Sequence, residues 1–398
     1  MTDSIVASED LYSNIMEHMN IDDNKNVVMR DVEMIEKMEY AASNGYLTQL
    51  KHFHEKGYRF DARSARSAAE NGHLDCLKYA HENGCPWDEW TRSGTAANGQ
   101  LDILKYLHKN GYSLPILPCR IAAKNGHLDC LKYAHENGCP WDKTTCKHAA
   151  ANGHLDCLKY ALENGCRWDE DTCDSAAKNG HLDCLKYAHE NGCRWDTSST
   201  WDKSMCLNSA NNGHLDCLKY LHENGCPWDK LTCHNAAKNG QLECLKYAHE
   251  NGCLWDEWVC LYATVNRHLD CLKYARANKC KWHKLMYQHA AANGDLECLK
   301  YLRENSSPWD RWTHPWDKLT CTYAARNGHL DCLKYLHENG CPWKHLTCRN
   351  AAEGGHVNIL KYLHENGRPW NRSTIFAAVT NRHFDCLNYA RKNGCPSN

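Results

Sequence analysis

Phenylalanine is nearly missing: the 398-residue chain holds 4 Phe, against 20 Tyr, 15 Trp and 27 Cys. A core built this way fills its space with small side chains and with aromatics that carry a polar tip. A surplus of one charge is missing too. The 47 Lys and Arg face 49 Asp and Glu with the signs interleaved, so no basic stripe points to nucleic acid or to an anionic membrane. No segment reaches the roughly 18 consecutive apolar residues of a spanning helix, and the opening MTDSIVASEDLYSNIMEHM places acids where a secretory leader needs a basic region and an apolar run. There is no C-x2-C pair, no phosphate-binding glycine loop and no unique Ser, Cys or carboxylate set against a unique His, which removes the usual signatures of structural zinc and of catalysis. The expectation is an intracellular, cytoplasmic protein that is not an enzyme and needs no cofactor.

What is present is repetition. NGHLDCLKYAHENGC stands at 71–85, 125–139 and 179–193, letter for letter. With the glycine of the NG(H/Y/Q/D)L turn as a marker, Gly45, Gly72, Gly99, Gly126, Gly153, Gly180, Gly213, Gly240, Gly294, Gly328 and Gly355 mark successive copies, and Arg267 and Arg382 fill the same slot in two more. Ten of the twelve spacings are 27 residues; the others are 33 and 34, with the additional residues near 197–202 and 308–314. A fixed period of this size signals a solenoid.

Each unit reads as a helical hairpin. In 231–256, Cys233, Ala236 and Ala237 share one face of a first helix, and Leu242, Cys244, Leu245 and Ala248 form the apolar stripe of a second. Glu243, Lys246 and Glu250 lie opposite that stripe at helical spacings. Asn239-Gly240 and Asn251-Gly252 end the two helices, and Pro86, Pro140 and Pro227 prevent continuation. The pattern AAxNGHLDxLKYxxENGxxxD, as in Ala149 to Asp169, resembles the ankyrin repeat, which implies an all-α ankyrin-repeat solenoid of helix-turn-helix units over residues 36–398. Residues 1–35 are expected to form a helical cap or a partly disordered segment. The Thr-Pro-Leu-His opening of the family is replaced by forms such as LTCHNAA, and the period is short where the family has its β-hairpin finger, so most fingers are expected to be shortened or absent. These short units resemble the ankyrin families of giant, mimivirus-like DNA viruses. That resemblance implies a viral protein acting on host proteins in the host cytoplasm.

The cysteines fall in three columns: seven residues before the marker (Cys119, Cys146, Cys173), four after it (Cys76, Cys130, Cys157) and thirteen after it (Cys85, Cys139, Cys166). Met38, Ile103, Ile359 and Tyr58 occupy the same columns elsewhere, so the thiols read as small core residues. The rival reading is a thiol-rich metal-binding or redox-responsive repeat protein. Zinc would need columns of different units to converge, and equivalent columns on stacked helices, about 8 to 10 Å apart, are too distant for disulfides. The histidines also interchange: Gln100, Gln241 and Asp295 replace the turn His, and Leu162, Arg276 and Arg303 replace the second-helix His. Trp87, Trp141, Trp168, Trp195, Trp228 and Trp370 share a column in which tryptophan is expected to fill the gap left by the missing fingers.

Columns that differ between copies are where a partner is expected. Six residues before the marker these include Arg66, Arg120, Lys147, Asp174, Leu207, His234, Leu261, Gln288 and Arg349; two before it they include Glu70, Lys124, Lys178, Lys238 and Arg326. Four residues apart, the two columns share a face of the first helix away from its Cys/Ala/Ala face. In ankyrin proteins this side lines the concave groove, so the resemblance implies a protein-interaction scaffold, a monomer that holds a protein partner there and binds neither nucleic acid nor membrane. The last unit, with Asn381-Arg382 and Asn388, is expected to present a polar end.

Overall fold

The computed structural model describes residues 26–111, 116–169, 171–193, 203–306, 316, 318–342, 345–368 and 370–396. Among these are 26 helices and no strand. The two long loops near 197–202 and 308–314 lie outside the described residues, as does 1–25 of the expected amino-terminal cap. A helix already runs from Asn26 to Ser43, so the end of that segment is continuous with the first unit.

One unit explains the rest. Asp229 stands extended before the first helix (Lys230–Lys238), and its carboxylate accepts the Leu231 N–H at 2.9 Å, satisfying a donor that the helix itself leaves open. At the other end the Asn239 side chain donates to the Asn235 carbonyl at 3.0 Å, and Gly240 turns the chain at φ +73°. The second helix (Leu242–Glu250) closes with the Cys253 N–H on the Ala248 carbonyl at 2.9 Å. Cys233, Ala236, Ala237, Cys244, Leu245 and Ala248 are all buried. Each buried Leu contributes about 2 kcal/mol, and the paired alanines let neighbouring first helices approach closely. Between Cys226 and Asp229 the chain reaches the next first helix without a strand, which is how a short unit dispenses with its finger.

The residues divide into two compact bodies, Met1–Thr172 and Cys173–Asn398. In each, first helices pack on the first helices of adjacent units and on their own second helices. In the last unit Asn381, Arg382 and Asn388 are exposed as expected, but so are Phe376, Val379 and Phe384. Apolar side chains therefore interrupt the polar surface expected of this unit.

Candidate binding surface

All 27 cysteines are buried thiols outside any disulfide, and among the described residues no group of three His, Cys, Asp or Glu side chains is placed to hold a metal ion. Burial pushes the thiols of the column four after the marker upward, to about 11 for Cys76 and about 12 for Cys217, which keeps them protonated and inert. The expected separation of cysteines concerned equivalent columns of different units. Unlike columns meet within a unit: Cys173 and Cys193 have their sulfurs 2.7 Å apart. The spacing of 20 residues hid this, because it joins the core face of a first helix to the turn beyond the second.

Turn histidines tie their units to the one before. His127 Nε2–H donates to the Ala97 carbonyl at 2.8 Å, and His73 and His329 do the same to Ser43 and Ala292 at 3.0 Å. The His127 ring lies so close over Gly99 that a Cβ there would stand 2.5 Å from Nδ1. The second-helix histidines point forward instead. His222 Nδ1 accepts the Tyr247 hydroxyl of the next unit at 3.1 Å, and its ring stacks on Trp228 at 3.8 Å. Trp228 in turn meets Tyr247 edge-on at 6.1 Å, and Lys219 lies over that Tyr ring at 5.9 Å. Where Arg276 replaces this His, its guanidinium covers Trp282 at 4.6 Å. The tryptophan column is packing, and both His and Arg present a flat face to it.

Burial lowers the pKa of His189, His222, His249 and His337 below the ordinary 6.5. An imidazole whose Nδ1 accepts a Tyr hydroxyl must be neutral at that atom. As the pH falls through about 6.5 the unfolded chain takes up protons that these folded rings refuse, so stability is full above that value and is lost below it. Melting temperature is expected to fall steadily between about pH 7.5 and 5.5. Changing all four to Leu, the residue already found at Leu162, should flatten the slope; an unchanged slope would rule these rings out as its source.

The candidate partner residues divide into two groups. Four of the residues six before the marker, Arg66, Arg120, Lys147 and His234, reach forward to the aspartate before the next first helix, 22 residues on. Arg66 pairs with Asp88, and His234 Nε2 meets Asp256 at 2.6 Å. Lys147 lies 3.9 Å from Asp169 and 2.6 Å from Asp171. Arg120 helps to hold Asp142 below the usual carboxylate range, after the larger effect of the Thr144 hydroxyl. Asp174 accepts from Asn208 at 3.0 Å and Ser204 at 3.4 Å, Arg326 pairs with Glu353 at 2.9 Å, and Leu261 is buried. Glu70 is half-buried, and desolvation raises its pKa. Leu207 and Gln288 are half-buried, whereas Lys124, Lys178, Lys238 and Arg349 are exposed.

A third column, nine before the marker, escaped the sequence reading although it lies three residues, one helical turn, before the column at six. It carries Trp90, 58% exposed, and in the second body Leu231 at 45%, Trp258 at 41% and Leu319 at 37%. Leu285 and Leu346, half-buried, continue the run over five successive units. Tyr323 and Leu254 add exposed apolar surface to the same body, and Lys238, Lys284 and Arg349 are exposed there. The signal was available: this column varies between copies as much as the other two, and spacings of three and seven put all three on one helix face.

Comparison with known proteins agrees with the hairpin geometry. A model of ankyrin repeats in three copies matches residues 93–174, 119–198, 174–253 and 321–398, and a model of many copies matches 287–337. A search of the curated proteins finds no match. Among solved structures, the ankyrin repeat domain of human ASB11 is similar at 22% identity, over 41% of this chain and 84% of that one, with a TM-score of 0.36. No helix of the described residues is long and apolar enough to cross a membrane.

Proposed function

Since the chain belongs to the ankyrin-repeat family, its matched segments covering more than half its length, we propose that it is a non-catalytic scaffold that holds a protein partner against the variable face of its first helices. One observation carries this reading: the repeated apolar residues are buried and the repeated histidines are bonded to neighbouring units, while the exposed apolar side chains Leu231, Trp258 and Leu319 stand in one column that varies between copies. A soluble surface has no reason to keep Trp and Leu half-uncovered in register unless something covers them. The basic residues Lys238, Lys284 and Arg349 beside that column favour a partner with acidic side chains flanking its apolar ones.

Residues 36–398 act as the binding array, as a monomer. The likeness of the repeats to those of giant DNA viruses supports a host protein as the partner and the host cytoplasm as the place. Capture from host extract should compare the natural chain with a Trp258→Ala/Leu319→Ser variant and with a Lys78→Glu control on a second helix. The first variant is expected to lose at least about tenfold of a partner that the control retains. Equal recovery by all three would reject this face. Charge reversal at Arg66 or Lys147 is a poor probe, because it breaks a bond within the array.

A further inference from the structure

We propose that the thiols seven before and thirteen after each marker, seen closest at Cys173 and Cys193, are built to close into disulfides within a unit when the protein meets a hydroperoxide or a small-molecule disulfide. The two sulfurs stand 2.7 Å apart, and Cys173 also lies 3.7 Å from the Cys193 carbonyl. The same approach recurs in both bodies, with Cys119 at 3.7 Å from the Cys139 carbonyl and Cys206 at 3.8 Å from that of Cys226. A bonded pair of sulfurs needs about 2.05 Å, so a small shift closes the bridge.

Seven units carry both partners: 119 with 139, 146 with 166, 173 with 193, 206 with 226, 233 with 253, 260 with 280 and 321 with 341. The chain also holds its own controls. Cys85, Cys348 and Cys395 face Ala65, Arg368 and Ile375 at the partner position, and at Cys76 and Cys217, four after the marker, burial is the main influence on the thiol and no sulfur hydrogen bond stands beside it.

In four of the pairs the second thiol is the nucleophile. At Cys139, Cys166, Cys253 and Cys280 a hydrogen bond from the first-helix thiol is the main influence, and it lowers the pKa against the opposing effect of burial. With a hydroperoxide the thiolate attacks the terminal oxygen, giving a sulfenic acid and releasing water or an alcohol. The partner sulfur then displaces the sulfenic hydroxyl as a second water, so two thiols are oxidised and one peroxide is reduced. With a disulfide oxidant, exchange through a mixed disulfide releases two small thiols. All these sulfurs are buried, so oxidant enters by local opening, slowly but with the selectivity that proximity gives.

The test uses the full chain, reduced and desalted, in two arms. In one the folded protein is treated with hydrogen peroxide; in the other it is refolded from urea in a glutathione redox buffer, so that burial cannot hide a bridge the fold permits. Alkylation under denaturing conditions and peptide mapping should show about 2 Da lost per bridge, linked peptides joining Cys173 to Cys193 and the equivalent pairs, and full alkylation of Cys76 and its column. Cys173→Ser should abolish one bridge and return Cys193 to the alkylated pool. Refolded protein in which all 27 thiols still alkylate, or bridges that join different units, would overturn the proposal.

Discussion

Gly99→Ala is expected to destabilise the first body by about 2 to 3 kcal/mol, and His127→Asp in the same chain is expected to restore a large part of it. Gly99 sits at φ +71°, where a side chain costs roughly 1 to 2 kcal/mol. Its new Cβ would also meet His127 2.5 Å from Nδ1, driving the ring off the Ala97 carbonyl at a cost of about 1 kcal/mol. The chain has run this experiment once in the second body. Arg267 occupies the marker slot at φ +66°, and the turn residue of the following unit is Asp295, which turns inward to accept the Cys298 N–H at 3.0 Å. A Cβ at the marker and an imidazole in the next turn are mutually exclusive. Asp295→His should therefore be costly beside Arg267 and much cheaper after Arg267→Gly. Urea denaturation of the four proteins of either cycle reads the coupling, and additive effects would show that ring and glycine do not compete.

Asp256→Ala is expected to cost about 2 to 3 kcal/mol. Its carboxylate does three things: it caps the helix through the Trp258 N–H at 3.2 Å, accepts from His234 at 2.6 Å, and pairs with Lys230 at 3.1 Å. The cap is worth about 1 kcal/mol, and the rest follows from leaving His234, 6% exposed, without its partner. Asp256→Asn keeps an acceptor for the cap and should lose about half as much. Burial acts to raise the Asp256 pKa, but hydrogen bonds from Lys230 and His234 outweigh it and hold the value below 3.8. Its contribution is thus complete above that pH and is lost as the pH falls through the lower native value, a window well separated from the imidazole one. Asp75→Ala, at an exposed second-helix site, is the control; an equal effect there would remove Asp256 from any special role.

Much of the fold is legible because one unit is written thirteen times. The buried set of Cys233, Ala236, Leu245 and Ala248 follows from spacing, as do the helix ends at Asn239-Gly240 and Asn251-Gly252. The surface was harder to read. Arg66, Lys147 and His234 look like free variable residues in the sequence, yet each is held by an acid of the next unit. Variation there follows what an N-cap aspartate will accept, and Arg, Lys and His all satisfy it. Trp258 and Leu231, in contrast, stand in a column that the spacing of core residues does not mark, and both are exposed.

The sequence by itself determined the repeating hairpin, its core face and its period, since these depend on dihedral preference and apolar spacing within about 27 residues. Only the tertiary structure decided which neighbour each polar side chain serves: the turn His to the unit behind, the second-helix His and the first-helix cation to the unit ahead, Cys173 to Cys193 in its own. Those choices rest on the offset between stacked hairpins. That offset is set by how alanine and cysteine faces nest in three dimensions, and no spacing along the chain encodes it.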